Sequence, residues 1–196
     1  MTEPLDIAAL DTLFADARTY NSWEDRPIDD DLILRLYEVV KWGPTTANTC
    51  PARFVFVRSP EGKERLRPHI NEGNLAKTMS APCTVIIAYD TEFYRLMPKL
   101  FPDRDYQSVF AGKDALIAEI CMRSSSLQGG YLIMAARALG LDCGPMSGFN
   151  AKSLNAEFFP DGRWQANFLC NLGYGMESGL FPRNPRLDFD EACLLL

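Results

Sequence analysis

Residues 41–57 read KWGPTTANTCPARFVFV. The stretch opens on Trp42-Gly43-Pro44, a helix stop, because proline lacks the N–H a further helical turn would use. It closes on Phe54–Val57, an apolar aromatic and β-branched run that reads as a buried strand. Between them stand Thr45, Thr46, Asn48, Cys50 and Pro51, small hydrogen-bonding groups in a loop too apolar at its edges to be a solvent linker. A helix, a holding loop and a buried strand in that order predict a layered α and β architecture.

Working outward, the helix before the loop starts near Ile28, with Asp29, Asp30 and Asp31 supplying its cap and first-turn charges and Leu32, Leu36, Val39 and Val40 its apolar stripe. Leu5 to Ala17 carries Leu10, Leu13, Phe14 and Ala17 on one face and predicts an earlier helix that runs into a polar loop. Downstream, ARFVFVR and PCTVIIAY read as strands, with helical pieces at Glu61 to Arg67 and Asn71 to Thr78 between them. Lys113 to Leu139 is long and apolar except for Arg123-SSS-LQGG, whose small residues suit close contact in a core or between subunits. The alternative is two helices broken at Gly129-Gly130. GLDCGPMSGFN predicts a short strand and turn, NAKSLNAEFF a helix and WQANFLCNLGYG a last strand before the tail.

At 196 residues one domain over 1–196 is the expectation, and 47% hydrophobic with 23% charged residues fits a globular chain. A net charge of −6 argues against a nucleic-acid surface, so any anion must meet a local cluster of cations. No apolar run is long enough for a membrane span, and MTEPLD lacks the basic-then-apolar order of a signal peptide, which predicts a cytoplasmic location. The six cysteines form no CxxC pair and read as small buried residues with free thiols. His69, the single histidine, reads as a surface or capping residue, so a histidine-rich metal site or a catalytic triad lacks members and no metal is expected.

Motif searches remove further classes. GYGMESG is one residue off the dinucleotide fingerprint and has no helix after it, GPMSG is not G-x-S-x-G, and no phosphate-binding P-loop occurs. What remains is a set of polar and cationic groups in loops flanked by apolar elements: Arg18-Thr19-Tyr20-Asn21, Pro44-Thr45-Thr46-Ala47-Asn48, Asn74-Leu75-Ala76-Lys77, Ser147-Gly148, and Arg183 with Arg186. Each alone has a plain reading as a turn, a cap or a solvated side chain.

In chain order, however, these segments resemble the nitroreductase family of flavin-mononucleotide (FMN) enzymes from end to end. Arg18-Thr19-Tyr20-Asn21 is similar to the family's N-terminal basic-Ser-x-basic element that grips the flavin phosphate, with Asn21 where a second cation is usual. Pro44 to Ala52 is similar to its Pro-Ser-x-x-Asn-x-Gln-Pro-Trp loop, with Cys50 and Ala52 replacing the glutamine and the tryptophan. Asn74 and Lys77 match the pair at the flavin pyrimidine edge, Ser147-Gly148 the turn whose amides face the reactive N5, and Arg183 and Arg186 the C-terminal phosphate cations.

The resemblance implies an α+β fold with a central, mostly antiparallel sheet flanked by helices, an intertwined homodimer with flavins at the interface, and NADH or NADPH as co-substrate. Hydride chemistry would lie with the flavin N5, leaving no protein nucleophile to name, and Lys77 would tune the flavin's charge. KWGPTTAN, SPEGKERLRP, GNLAKTMSAP and GLDCGPMSGF are most similar to the malonic semialdehyde reductases of uracil catabolism. Such an enzyme reduces the aldehyde of 3-oxopropanoate to 3-hydroxypropanoate. Arg53 is then the candidate cation for the substrate carboxylate, with a strand-edge arginine paired to a carboxylate as the alternative. A general nitroaromatic or quinone reductase and a non-catalytic flavin-binding protein are the rival functions.

Overall fold

The computed structural model describes residues 3–196. Four strands, β1 (Ala52–Val57), β2 (Cys83–Asp90), β3 (Asp142–Met146) and β4 (Trp164–Gly173), form one antiparallel sheet in the order β1-β2-β4-β3. This is the expected α+β arrangement of an antiparallel sheet flanked by helices. β2 lies centrally, and its CTVIIAYD sequence is buried on both faces, which is why it reads as a continuous apolar run and not an alternating one. Successive residues serve opposite sides: Val85 and Ile87 join one core, Ile86 and Ala88 the other.

The first core lies under α2 (Asp30–Val40) and the long α7 (Asp114–Ala138), through Leu36, Val40, Leu132 and Ala136. The second lies under α3 (Pro60–Leu66), α4 (Glu72–Ser80) and α8 (Ala151–Phe158), through Leu66, Leu75 and Leu154. A third, built from Phe93, Met97, Phe110, Ile117, Ile120 and Cys121, fills the space between the first half of α7 and two short helices, α5 (Met97–Leu100) and α6 (Tyr106–Phe110). The sequence pattern alone predicts no element for α5 or α6. Among the described residues no helix is long and apolar enough to cross a membrane.

Several expectations change in detail. The N-terminal helix is one turn, α1 (Ile7–Leu10), continuing as a π-helical turn over Asp11–Ala15, and its Leu10 and Phe14 are exposed. On α2 the inward stripe is Leu32, Ile33, Leu36 and Val40, while Val39 is exposed; the 3.6-residue period puts 32, 36 and 40 on one line and leaves 39 beside it. Asp29 stands at the N-cap but its side chain makes no capping hydrogen bond. Cys193 is exposed and Cys50 half-buried, so the buried-thiol expectation holds for Cys83, Cys121, Cys143 and Cys170.

α7 is continuous through Gly129-Gly130, so the broken-helix alternative falls. A Cβ on Gly129 would sit 2.4 Å from the Phe168 ring, so glycine is what lets the helix approach β4. The polar residues before it are not a surface stripe. Gln128 accepts from the Ala52 amide at 3.0 Å, Ser125 from Asn167 at 2.9 Å, and Ser124 from the Thr46 amide at 3.4 Å, so each buried polar group is satisfied and ties the helix to the sheet or to the 44–50 loop. The tail ends in a short helix, α9 (Phe189–Ala192), with a capping box of Asp188 and Glu191.

Candidate functional site

The N-terminal polar loop is held along the free edge of β3. Thr19 bridges Cys143, and the Tyr20 amide donates to the Cys143 carbonyl at 3.0 Å. Trp23 bridges Gly175 just beyond β4. This docking turns Arg18, Thr19 and Asn21 toward a cavity of about 530 Å³ whose other walls are Phe14 and Ala17, Lys77 of α4, Arg137 of α7, and Phe181, Arg183 and Arg186 of the tail. Six of the expected site residues therefore meet in one place, although they come from both ends and the middle of the chain.

The tail and the loop hold each other through backbone acceptors. Arg183 donates to the Ala15 and Ala17 carbonyls at 2.6 and 3.1 Å, and Arg18 donates to the Phe181 carbonyl. Arg186 donates only to the Asn184 and Pro185 carbonyls of its own tail, at 2.8 and 3.1 Å. No carboxylate lines the cavity, so positive charge accumulates there in an otherwise acidic chain. Asn21, where a second cation was expected, accepts from the Lys77 ammonium at 3.2 Å. A neutral acceptor lets that ammonium approach without charge repulsion, and burial pushes the Lys77 pKa down from its ordinary value.

Asn74 lies one turn before Lys77 on the same face of α4. Its carboxamide donates to the Gly148 carbonyl at 3.0 Å, and the Asn71 amide reaches the same carbonyl at 3.1 Å. A Cβ on Gly148 would fall 2.2 Å from Asn74 Nδ2, so the turn after β3 can close on α4 only with glycine there. Ser147 is exposed at the outside of that turn. Asn74, Ser147 and Gly148 do not line the cavity; they form a cluster of their own one helical turn from Lys77.

Pro44, Thr45, Thr46 and Asn48 lie elsewhere. Their loop packs on the middle of α7 at Ser124 and on the end of α5, where Asn48 Nδ2 donates to the Leu100 carbonyl at 2.8 Å. Ser124 and Arg137 share α7, and at ~1.5 Å per residue the loop contact is about 20 Å along its axis from the cavity. Within one chain the two groups of residues do not converge. The loop is nonetheless sharply defined. Ala47, Asn48 and Cys50 have φ of 46°, 53° and 41°, the left-handed region that non-glycine residues rarely occupy. It is held by Thr45, whose hydroxyl accepts from the Cys50 amide at 3.1 Å, and by the Cys50 thiol, which donates to Asn48 Oδ1 at 3.3 Å. Pro44, Thr46 and Asn48 face outward, and the buried Thr49 hydroxyl has no partner among the described residues.

Arg53 makes the carboxylate pairing that its alternative reading describes. Its guanidinium donates to Asp90 at 2.7 Å and to the carbonyls of Cys50, Pro51 and Ala52 at 3.1, 3.3 and 2.8 Å. Asp90 is fully buried and also takes two bonds from Arg163, at 2.8 and 2.7 Å. Burial alone would raise the Asp90 carboxyl, but the Arg163 and Glu92 hydrogen bonds and the charges of Arg53 and Arg163 hold it below its ordinary value. Arg53 is thus paired through Nη2 to a buried carboxylate, with Nη1 on the three carbonyls, which fits the alternative reading of a strand-edge arginine.

The sequence reading missed Arg137, an isolated cation near the end of an apolar helix, whose one visible signal was that isolation. Its Nη1 donates to the Leu13 carbonyl at 2.9 Å and its Nε is buried with no partner among the described residues. His69 is not in the cavity; its Nδ1 pairs with the Ser153 hydroxyl at 2.8 Å. Burial pushes the Cys83 and Cys121 thiols up to about 12, so neither offers a thiolate nucleophile.

The residues present suit a flavin phosphate: clustered guanidiniums and a hydroxyl at one end, and at the other an ammonium, a carboxamide and a glycine turn that admits close backbone approach. Comparison with known proteins identifies the family and the fold. The model of the family described as "Nitroreductase family" matches residues 15–174. A protein of Rhodopseudomonas palustris, named as a candidate NADH dehydrogenase/NAD(P)H nitroreductase, is 59% identical over 196 residues, covering 100% of both chains. One of the same name from Ralstonia nicotianae is 58% identical over 192 residues, covering 98% of each. Among solved structures, a candidate nitroreductase of Exiguobacterium sibiricum in complex with FMN superimposes with a TM-score of 0.84 at 16% identity, covering 100% of both chains. A candidate nitroreductase of Bacillus subtilis gives 0.85 at 17%, covering 97% of this chain and 100% of that one.

Proposed function

The chain belongs to the nitroreductase family, and from that premise we propose that it is an NAD(P)H-dependent oxidoreductase that binds flavin mononucleotide. The observation that carries the reading is the meeting of Arg18, Thr19, Lys77, Arg183 and Arg186 around one cavity free of carboxylates. A phosphate monoester dianion is the ligand such a donor set suits. When bound, FMN would supply the two-electron carrier between reduced nicotinamide and an acceptor.

In this reading Arg18, Thr19, Arg183 and Arg186 hold the phosphate, with Arg137 behind them. Asn21 orients the Lys77 ammonium, which Lys77 then presents to the pyrimidine edge beside Asn74. There its positive charge favours the ring once it carries negative charge, and partial burial strengthens that attraction. Ser147 and Gly148 let the backbone approach the ring closely.

The reading also includes a homodimer. The outer side of α7 leaves Leu116, Met122, Leu127 and Tyr131 exposed, and Leu34, Tyr37 and Trp42 stand exposed on and after α2. Surface of this kind is covered by association. A second copy on that side would bring the 44–50 loop of one protomer toward the cavity of the other, which gives a role to Pro44, Thr45, Thr46 and Asn48 that a single chain does not. The expected setting is the cytoplasm.

For the acceptor we propose malonic semialdehyde, on the resemblance of GNLAKTMSAP and GLDCGPMSGF to reductases of that aldehyde. A broader nitroaromatic or quinone reductase is the alternative, favoured by the names of the relatives. Arg53 has no substrate role in this proposal. The test is to identify by chromatography the cofactor released from the purified protein, to bleach it anaerobically with NADH or NADPH, and to compare steady-state kinetics on malonic semialdehyde, a nitroaromatic and a quinone. A protein that neither carries nor binds FMN overturns the reading. Turnover of the aromatics with none of the aldehyde leaves the flavin site standing and replaces the acceptor.

A further inference from the structure

Lys63, on α3, is only 6% exposed, and its ammonium donates to the Thr78 carbonyl at 2.8 Å and to the Thr84 hydroxyl at 2.7 Å. The chain of donors continues inward. Thr84 donates to Asn171 Oδ1 at 2.8 Å, and Asn171 Nδ2 donates to the Lys77 carbonyl at 3.3 Å. The same carbonyl receives the Trp23 indole N–H at 3.1 Å. Both carbonyls belong to the last turn of α4, where no further helical N–H follows and Ala81-Pro82 turns the chain into β2. Lys63 of α3, Asn171 of β4 and Trp23 of the N-terminal loop therefore do the work a helix end leaves undone, with Thr84 of β2 linking Lys63 to Asn171 and the Ser80 hydroxyl adding a bond to the Lys77 carbonyl at 3.4 Å.

We propose that this buried relay of Lys63, Thr84 and Asn171, closed by Trp23, positions the Lys77 ammonium in the cavity; the inference rests on the flavin reading above. The geometry holds Lys77 at both ends. Its carbonyl is fixed by Asn171 and Trp23, and its ammonium by Asn21, which lies in the same loop as Trp23. The position of the Lys77 charge is thereby set both by Asn21, which touches it, and by Asn171 and Trp23, which touch only its carbonyl. A buried amine is also a costly donor compared with an apolar side chain of similar length, because its charge is removed from water. Burial lowers the Lys63 pKa to about 8, which is the mark of that cost. A cation beside the carboxyl end of α4 recovers part of it from the helix dipole.

The test uses three variants of the full protein. Thr84→Val keeps the shape and removes the hydroxyl, Thr84→Ser keeps the hydroxyl, and Lys63→Met removes the amine. The first readout is the titration midpoint of the Lys77 ammonium in flavin-free protein, by nitrogen NMR, its resonance identified by its loss in Lys77→Met. The second is the ratio of dissociation constants for reduced and oxidised FMN. Thr84→Val and Lys63→Met are expected to move the midpoint toward that of an exposed lysine and to weaken reduced relative to oxidised flavin about tenfold, equivalent to ~30 mV in the two-electron potential. Thr84→Ser should leave both near the parent values. An unchanged midpoint in cooperatively folded Thr84→Val overturns the proposal, and if Lys63→Met does not fold the Thr84 pair decides it. A parent protein that binds no FMN sinks the flavin reading alone, and the Lys77 titration still decides the positioning.

Discussion

The cation cavity and the 44–50 loop were both expected to hold the same flavin, yet they are built in opposite ways. The cavity is assembled from distant pieces: Arg18 and Arg183 reach across to carbonyls of each other's segments, and Lys77 arrives on a helix fixed from behind. Its backbone is unstrained and its side chains carry the specificity. The loop is the reverse, a short local structure with three non-glycine residues in the left-handed region and its hydroxyl and thiol groups turned on its own backbone and side chains. Strain of that kind persists only where surrounding contacts over-determine it. The contrast teaches that the cations are gathered within one chain from distant segments, whereas the loop takes its shape locally; in the proposed homodimer it is a preformed piece waiting for a surface that one chain does not provide.

The most severe way to break this contrast is to separate the copies. Leu127→Asp places a charge on the exposed side of α7, where a single chain tolerates it but an apolar interface would bury it unpaired, a penalty of about 3 kcal/mol or more. Sedimentation should show monomers that have also lost FMN. Dissociated protein that binds flavin as tightly as the parent would mean the loop takes no part in holding it. Next, Arg18→Ala removes a charge-assisted contact from the cavity and should weaken FMN by about 1.5 to 3 kcal/mol, while flavin lacking its phosphate is affected far less. Equal losses for the two ligands would move Arg18 to a purely structural role.

Lys77→Met sharpens the picture at the chemical end. Losing its charge should lower the flavin potential by tens of millivolts, ~30 mV for each ~1.4 kcal/mol, and slow reduction by nicotinamide more than it weakens oxidised FMN. Redox titration with flavin fully bound checks this. The smallest effect belongs to the loop backbone. Ala47→Gly relieves a positive φ but adds unfolded-state entropy, so stability should stay within about 1 kcal/mol of the parent. FMN affinity should fall modestly as the loop loosens, and calorimetry beside a flavin titration separates the two.

The sequence disclosed the strands, the α7 span and the cavity's loop arginines because each rests on a local signal: buried apolar runs, helical periodicity, or arginines in loops. It did not disclose what depends on partners far along the chain. Arg53 read equally as a substrate cation or as a strand-edge arginine paired to a carboxylate, and only the pairing of β1 with β2 identifies that carboxylate as Asp90. Asn21 looked like a weakened cation position and is instead the acceptor that holds Lys77. Lys63 looked like one more charged residue of SPEGKERLRP, since nothing in that segment says that its amine turns inward. The third core was missed because α5 and α6 are too short to show a period.

That inward amine has a consequence for how the protein behaves in alkali. The folded Lys63 titrates at about 8, below the 10.5 of an unburied lysine. Below pH 8 both folded and unfolded chains carry the proton and the folded one bears the whole burden of keeping it from water. Between pH 8 and 10.5 the unfolded chain binds more protons, so this residue's contribution makes stability climb with pH, by an amount on the order of 3 kcal/mol. Set against the buried thiols of Cys83 and Cys121, whose raised values cost stability as the solution turns basic, Lys63 is an internal counterweight, visible as a melting temperature that falls more steeply across that window in Lys63→Met than in the parent.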